Sequence, residues 1–318
     1  MAPLTAVRGV MCWQLDVPVL VVVLALGGWY VVGVVRVQHR ASSWPVWRSV
    51  SFLGLGLGSV VVVTMSCLGV YDRTLFWPRA IQYSVLLSVS PLLLAIGEPL
   101  ELARRNLTGA SRRRLDAVLQ SRPVRVLAFP LVGAVLGVVV LMVVYLTPIY
   151  QASLTDDMAQ DLVFLALLAC GGAFFGPLLD VGEELLPGWC GYSMRVVFAF
   201  LDSLLDAVPG VVIMTMHGVL AEPYYTGLHR GWGPSLAWDQ TIGGGLMFTL
   251  SELVALPFLG VLVVRWVRED ERHAHETDRQ LDQAAAVARM PLSTRPWWET
   301  DPGPLAERPG GSPGSHQA

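Results

Sequence analysis

The sequence predicts an all-α fold, a polytopic membrane helical bundle of about seven transmembrane helices with the N-terminus out and the C-terminus in. Of the 318 residues, 53% are hydrophobic and 15% are charged, whereas an average soluble domain carries roughly 25% charged residues. Seven apolar stretches are near the length of about 20 residues that one helix needs to cross a bilayer. Most of the protein surface is therefore expected to face lipid.

The seven apolar stretches are each bounded by polar or arginine-containing sequence. They are residues 17–35, 49–70, 80–97, 124–146, 162–179, 194–220 and 241–264. The first is expected to remain as a span, because the region before it is nearly uncharged and no small-residue cleavage site follows Val35. We therefore expect residues 1–16 to form a short outer N-terminus and residues 17–264 to form a seven-helix transmembrane domain.

The basic residues orient the bundle, and all 22 of them are arginine. Alternate segments between the spans lie on the same side of the membrane. The segments on the side of the C-terminus contain 18 arginines in all, and those on the other side contain 4. The positive-inside rule then places the C-terminus in the cytoplasm of a multi-pass protein of the cell (inner) membrane. Residues 265–290, rich in charge and alanine, are expected to form a cytoplasmic helical extension, and the Pro- and Gly-rich residues 291–318 a disordered tail.

Several functional classes find no support in the sequence. The four cysteines, Cys12, Cys67, Cys170 and Cys190, form no C-x-x-C pair, and there is no zinc-ligand spacing or nucleotide-binding glycine loop. Because nothing suggests a soluble catalytic domain, we expect a protein that is not an enzyme and does not bind nucleic acid. Its first partner is the lipid bilayer.

Polar residues concentrate where the third, fifth and seventh spans begin, which this orientation places at the outer surface. The predicted outer polar cluster consists of Arg79, Gln82, Tyr83, Asp157, Asp161, Asp239 and Gln240. Arg79 and Tyr83 are four residues apart and lie on one helical face, and the same holds for Asp157 and Asp161. Two interpretations stay open: a site between helices, or polar residues that collect at a membrane boundary because water is close.

Soft side chains are predicted to reach the same end of the bundle. The candidate metal ligands are Met214, Met216 and His217, near the end of the sixth span, with Met65 and Cys67 near the end of the second. Thioether, thiolate and imidazole groups suit Cu(I). Methionine and cysteine are also ordinary filler in apolar helices, and the side chains of Met216 and His217 diverge by about 100° around a helix.

Three carboxylates are predicted deeper in the membrane. Asp202 and Asp206 share one face of the sixth span, and Glu252 lies near the middle of the seventh. Two carboxylates four residues apart in lipid do not both ionise easily, so at least one is expected to hold a proton or to meet a polar partner. They indicate either a proton or cation pathway or a hydrogen-bonded clasp between helices.

A family resemblance extends over most of residues 70–280. Residues 76–105, FWPRAIQYSVLLSVSPLLLAIGEPLELARR, resemble the third-span signature of the CtaG-type cytochrome c oxidase assembly proteins, in which an H-M-x-Q-H core precedes leucines, a proline, an L-G-x-P-L turn and a basic end. Residues 146–179 continue the resemblance. The family's Asp-Gln-x-x-Gly-Gly motif, with a glutamate further along, is matched by Asp239, Gln240, Gly243, Gly244 and Glu252.

The resemblance implies a factor that helps to mature a copper-containing oxidase, in a family thought to handle copper. The chain departs from the pattern at its histidines, whose positions fall on Arg79 and Tyr83 in the third span, Asp157 and Asp161 in the fifth and Asp206 in the sixth. Arginine is a fixed cation and carboxylates prefer harder ions than Cu(I). The chain therefore resembles a family member that lacks most of the histidines.

The expected function is a membrane-embedded assembly factor for haem-copper cytochrome c oxidase, which binds an oxidase subunit and has copper as its candidate cofactor. Where the family would place a metal, Arg79 is expected to form an ion pair with Asp157, Asp161 or Asp239. The alternative is a small-solute or metal-ion transporter that uses the three intramembrane carboxylates. A retinal protein is excluded, because a retinal Schiff base needs a lysine and the sequence has none.

Overall fold

The computed structural model describes residues 12–40, 43–179 and 192–288, and every regular element within them is helical. Six of these helices are long and apolar enough to cross a membrane, and the number is seven when one bent pair is taken as a single span. The predicted all-α, polytopic bundle is confirmed. Cys190, the predicted tail at residues 291–318 and most of the predicted outer N-terminus lie outside the described residues.

Twelve helices, numbered here in chain order, make up the described residues. They are α1 (Val17–His39), α2 (Val46–Tyr71), α3 (Phe76–Ile96), α4 (Pro99–Asn106), α5 (Gly109–Leu119), α6 (Arg122–Leu127), α7 (Pro130–Leu146), α8 (Pro148–Thr155), α9 (Asp157–Leu179), α10 (Tyr192–Thr215), α11 (Glu222–Gly227) and α12 (Leu236–Ala288). The described residues up to Trp266 pack as one unit, and the part of α12 from Val267 belongs to a second.

Several span boundaries lie four to six residues from those predicted from hydropathy. The fourth span begins at Pro130 and not at residue 124, because residues 122–127 form the separate short helix α6. The sixth ends at Thr215 and not at residue 220, and the seventh begins at Leu236 and not at residue 241. Hydropathy averages over many residues, whereas a helix end depends on individual prolines and caps.

A sharp bend separates α7 from α8. The two helices meet at an angle of 73°. Pro148 has no N–H to continue the hydrogen-bond ladder of α7, and the hydroxyl of Thr147 accepts the N–H of Ile149 at 3.4 Å to start the new helix. The bend brings α8 against α3, where Ser153 contacts the site described below.

Small residues let the spanning helices approach one another closely. A Cβ added at Gly171 on α9 would lie 1.9 Å from the carbonyl oxygen of Leu87 on α3. A Cβ at Gly210 on α10 would lie 2.8 Å from the carbonyl oxygen of Gly244 on α12. Lipid provides no hydrophobic force between helices, so close packing of this kind is a main source of their association.

Candidate functional site

Arg79 lies in the first turns of α3 and is fully buried. Its guanidinium donates to Oδ2 of Asp72 at 3.1 Å, to Oε1 of Gln160 at 3.3 Å and to the hydroxyl of Tyr83 at 3.3 Å. It also donates to the hydroxyl of Ser153 at 3.3 Å and to the backbone oxygen of Ser153 at 3.2 Å. A buried charge is tolerated only when it is paired and hydrogen-bonded, and Arg79 meets both conditions.

Asp72 is the counter-ion of Arg79, and its side chain is only 2% exposed. It lies in the short connection before α3, and Nε2 of Gln160 donates to its Oδ2 at 3.1 Å. Burial raises the pKa of the Asp72 carboxyl, and the positive charges of Arg79 and Arg73 act against that rise. The three side chains Asp72, Arg79 and Gln160 form a closed triangle of hydrogen bonds, called here the Arg79 network.

A polar cleft of about 460 Å³ lies next to the Arg79 network. Its polar lining residues come from the segment before α1, the connection between α2 and α3, and the start of α9: Gln14, Asp16, Asp72, Arg73, Asp157, Gln160 and Asp161. Arg73 donates to Oε1 of Gln160 at 2.8 Å and forms an ion pair with Asp157, whose side chain is 84% exposed. The cleft therefore connects the buried network with the surface.

Aromatic rings close the other side of the Arg79 network. Phe76 contacts Tyr145 and Tyr150, and Tyr145 contacts Tyr83 and Tyr150, with ring centroids 5.1 to 5.7 Å apart. The hydroxyls of Tyr150 and Tyr225 share a hydrogen bond of 2.7 Å, and burial raises the pKa of Tyr225. Tyr83, Tyr150 and Tyr225 have hydrogen-bonded hydroxyls, and their rings belong to the apolar core beside Arg79.

Asp239 and Gln240 connect α12 with two other helices. The Asp239 carboxylate accepts the N–H groups of Phe76 at 3.1 Å and Trp77 at 3.3 Å, and so caps the N-terminus of α3. It also forms an ion pair with Arg230 at 3.1 Å. Gln240 accepts the N–H of Leu220 at 2.8 Å and donates to backbone oxygens at the end of α10. Both side chains hold the helices in place around the site.

The cap from Asp239 gives a prediction about stability. Replacing Asp239 with Ala removes the α3 cap and leaves Arg230 without its carboxylate, so we expect a loss of about 2 to 3 kcal/mol in the free energy of unfolding. The control is Asp156→Ala, which removes an exposed cap at α9 that has no ion pair. It should cost about 1 kcal/mol. Equal losses in the two variants, measured by unfolding in mixed micelles, would show that the Arg230 pair contributes nothing.

The structure brings together only part of the predicted outer polar cluster. Arg79 belongs to the Arg79 network and donates to the Tyr83 hydroxyl, whereas Gln82 donates to the backbone oxygen of Val63 at 2.8 Å. Asp157 and Asp161 line the polar cleft. Asp239 and Gln240 connect helices, as described above.

The predicted ion-pair partners of Arg79 were wrong, because the carboxylate that pairs with it is Asp72. Sequence reasoning had placed the partner on a neighbouring span, at Asp157, Asp161 or Asp239. It missed both Asp72 and Arg230, which lie in connections outside the predicted spans. The one signal in the sequence was the Asp-Arg pair at residues 72–73, in the short connection before α3.

The candidate soft metal ligands Met214, Met216 and His217 lie at and just beyond the end of α10. Met214 and His217 are exposed, Met216 is half-buried, and α10 ends between the two methionines at Thr215. In the described part of the chain, no three His, Cys, Asp or Glu side chains lie close enough together to hold a metal ion. At the family's histidine positions, Arg79 donates its N–H groups to protein acceptors and Asp157 is paired with Arg73. These residues do not fit copper.

The three intramembrane carboxylates lie on α10 and α12. Asp202 is buried, while Asp206 and Glu252 are half-buried. The hydroxyl of Ser203 donates to Oε2 of Glu252 at 3.1 Å, which connects α10 with α12. Among the described residues, the observed ion pairs do not involve any of the three. This hydrogen bond agrees with a clasp between helices.

Comparison with known proteins gives one family and several relatives. The sequence model of the cytochrome c oxidase caa3 assembly factor family matches residues 28–269. Uncharacterised proteins of Mycobacterium bovis and Mycobacterium tuberculosis are each 30% identical over 291 residues, 88% of this chain and 43% of theirs. One of Mycobacterium leprae is 28% identical over 295 residues, 89% of this chain and 44% of its own. The chain thus spans less than half the length of these relatives. No solved structure matches the chain.

Proposed function

This chain belongs to the cytochrome c oxidase caa3 assembly factor family, and we propose that it assists the assembly of a haem-copper oxidase by binding an oxidase subunit in the membrane. The family match includes all of the spanning helices from α2 to α10. The proposed location is the cell (inner) membrane, where such an oxidase is inserted. The proposed action is binding without turnover.

The observation that carries this proposal is the polar cleft over the Arg79 network. The cleft has a fixed floor, because Asp72 and Gln160 are held by Arg79, and a rim formed by the exposed Asp157 and the half-buried Asp161. Its lining contains four aspartates and one arginine. A lining with this excess of negative charge is complementary to a basic segment of a partner, and such complementarity contributes to the rate and specificity of association.

We propose that the oxidase subunit is bound without copper coordination, either by the residues at the family's histidine positions or by Met214 and His217. Arg79 offers no lone pair, and the nearby carboxylates prefer harder ions than Cu(I). The measurement is the amount of copper that the purified chain retains against a Cu(I) chelator. We expect less than one copper per chain. Retention of one copper per chain, lost in His217→Ala or Met214→Ala, would contradict this part of the proposal.

Charge reversal at the cleft tests the proposed binding surface. Asp161→Lys places a positive charge on the rim, and we expect about tenfold less oxidase subunit to co-purify with the chain from membranes, equivalent to about 1.4 kcal/mol. Glu222→Lys is the matched control, because Glu222 is exposed on α11 and does not line the cleft. The wild-type complex should also weaken at high salt. Equal recovery with both variants would contradict binding at the cleft.

The transport alternative predicts a different result. If the chain moves a solute or metal ion, vesicles containing it should show uptake that is lost in Asp206→Asn. Asp206 does not line the polar cleft, so the readout is uptake and not recovery of the oxidase subunit. Uptake of this kind, with unchanged oxidase, would replace the assembly proposal.

A further inference from the structure

A second cavity, called here the apolar groove, lies between α3, α6 and α9. It has a volume of about 330 Å³, and its lining includes Leu94 and Ala95 of α3, Leu127 of α6, and Gly172 and Gly176 of α9. Leu94 is fifteen residues along α3 from Arg79, a rise of about 22 Å. The apolar groove is therefore separate from the polar cleft.

Two glycines leave the apolar groove open on its α9 side. A Cβ added at Gly172 or at Gly176 would meet no atom within 4 Å. The two residues are four apart and so lie on one face of α9. Gly171, by contrast, is buried against α3. Next to the tight helix contact at Gly171, α9 thus presents a shallow, unfilled surface.

The length of the apolar groove fits a lipid chain better than a helix. Its lining on α9 runs from Leu168 to Pro177, a rise of about 14 Å. The hydrocarbon core of a bilayer is about 30 Å thick, so one leaflet contributes about 15 Å. A transmembrane helix of a partner would need a groove about twice as long. The apolar groove matches an acyl chain of one leaflet.

Positive charge lies beside one end of the apolar groove. Val124 and Leu127 of α6 line the groove, and the same helix carries the exposed residues Arg122 and Arg125. Neither arginine takes part in an ion pair observed among the described residues. Residues 98–125 contain seven arginines and three acidic residues. Basic pockets beside transmembrane helices bind anionic lipid headgroups.

We propose that the apolar groove and α6 form a binding site for an anionic phospholipid, with an acyl chain in the groove and the headgroup phosphate at Arg122 and Arg125. This proposal is independent of the proposed oxidase partner. A lipid at this position would fill the space beside Gly172 and Gly176, and it would bridge α6 to the spanning helices α3 and α9.

The test compares lipids retained by the full chain purified in detergent, using native mass spectrometry. Phosphatidylglycerol and phosphatidylcholine with identical acyl chains are the two probes. We expect about tenfold stronger retention of phosphatidylglycerol. Arg122→Gln with Arg125→Gln should reduce that retention to the phosphatidylcholine level, whereas Arg36→Gln, an exposed arginine at the end of α1, should leave it unchanged.

A second variant tests the groove itself. Gly172→Leu fills the open space and should displace phosphatidylglycerol, whereas Gly28→Leu, at an equally open glycine on α1, should not. Glycerol phosphate should fail to compete, because it has no acyl chain. Equal binding of the two lipids, retention in Gly172→Leu, or competition by glycerol phosphate would each overturn the proposal.

Discussion

Replacing Arg79 with Met is expected to lower the free energy of unfolding by about 3 to 5 kcal/mol, the usual cost of leaving a buried charge without its partner. The variant removes every donor of the guanidinium and leaves Asp72 buried without its counter-ion, although Gln160 still donates to it. Arg105→Gln is the control, because Arg105 forms an exposed i, i+4 pair with Glu101. It should cost about 0.5 kcal/mol or less.

A double variant separates the charge from the packing of Arg79. In Arg79→Met with Asp72→Asn no buried charge is left unpaired, so this variant should be more stable than Arg79→Met alone. Reversible unfolding in mixed micelles gives the free energies of unfolding of the wild type, the two single variants and the double variant, which together form a double-mutant cycle. A double variant whose loss equals the sum of the two single losses would show that Arg79 and Asp72 do not interact.

Replacing Gly171 with Ala is expected to cost at least about 3 kcal/mol, the upper end of the usual range for overpacking. The added Cβ would lie 1.9 Å from the carbonyl oxygen of Leu87, and this oxygen belongs to the α3 backbone and cannot rotate away. The helices α3 and α9 would have to separate, and both carry residues of the Arg79 network. We therefore expect reduced oxidase activity as well as reduced stability.

The neighbouring glycine is a matched control for this variant. Gly172→Ala adds the same methyl group one residue further along α9, where nothing lies within 4 Å. Because alanine is a better helix former than glycine, this variant should be neutral or more stable by up to about 1 kcal/mol. If both variants behave alike, the close contact between α3 and α9 does not contribute to stability.

The helical bundle could be predicted from the sequence because the bilayer imposes one dominant constraint on the chain. Each span must satisfy its own backbone and needs about 20 apolar residues, and both requirements are visible in composition and length. The bend at Pro148 was not predicted, although proline is a known cause of such breaks. Its effect, which is to place Ser153 beside Arg79, depends on the packing of α8 and not on the local sequence.

The site was less predictable, because its pairings are set by tertiary structure. The position of Arg79 at a span end was visible, but Asp72 lies in a loop whose path the hydropathy pattern does not define. Asp239 caps α3 from a position 163 residues later in the chain. Its charge was visible in the sequence, whereas its role as a helix cap required the packing of α12 against α3.

The central claim, that this chain supports oxidase assembly by binding and not by copper coordination, is tested most directly by deleting its gene and measuring haem-copper oxidase activity with and without added copper. We predict a severalfold loss of activity that added copper does not restore, and that the wild-type gene restores while Asp161→Lys does not. Unchanged oxidase activity under both conditions, or full recovery with copper alone, would contradict the claim.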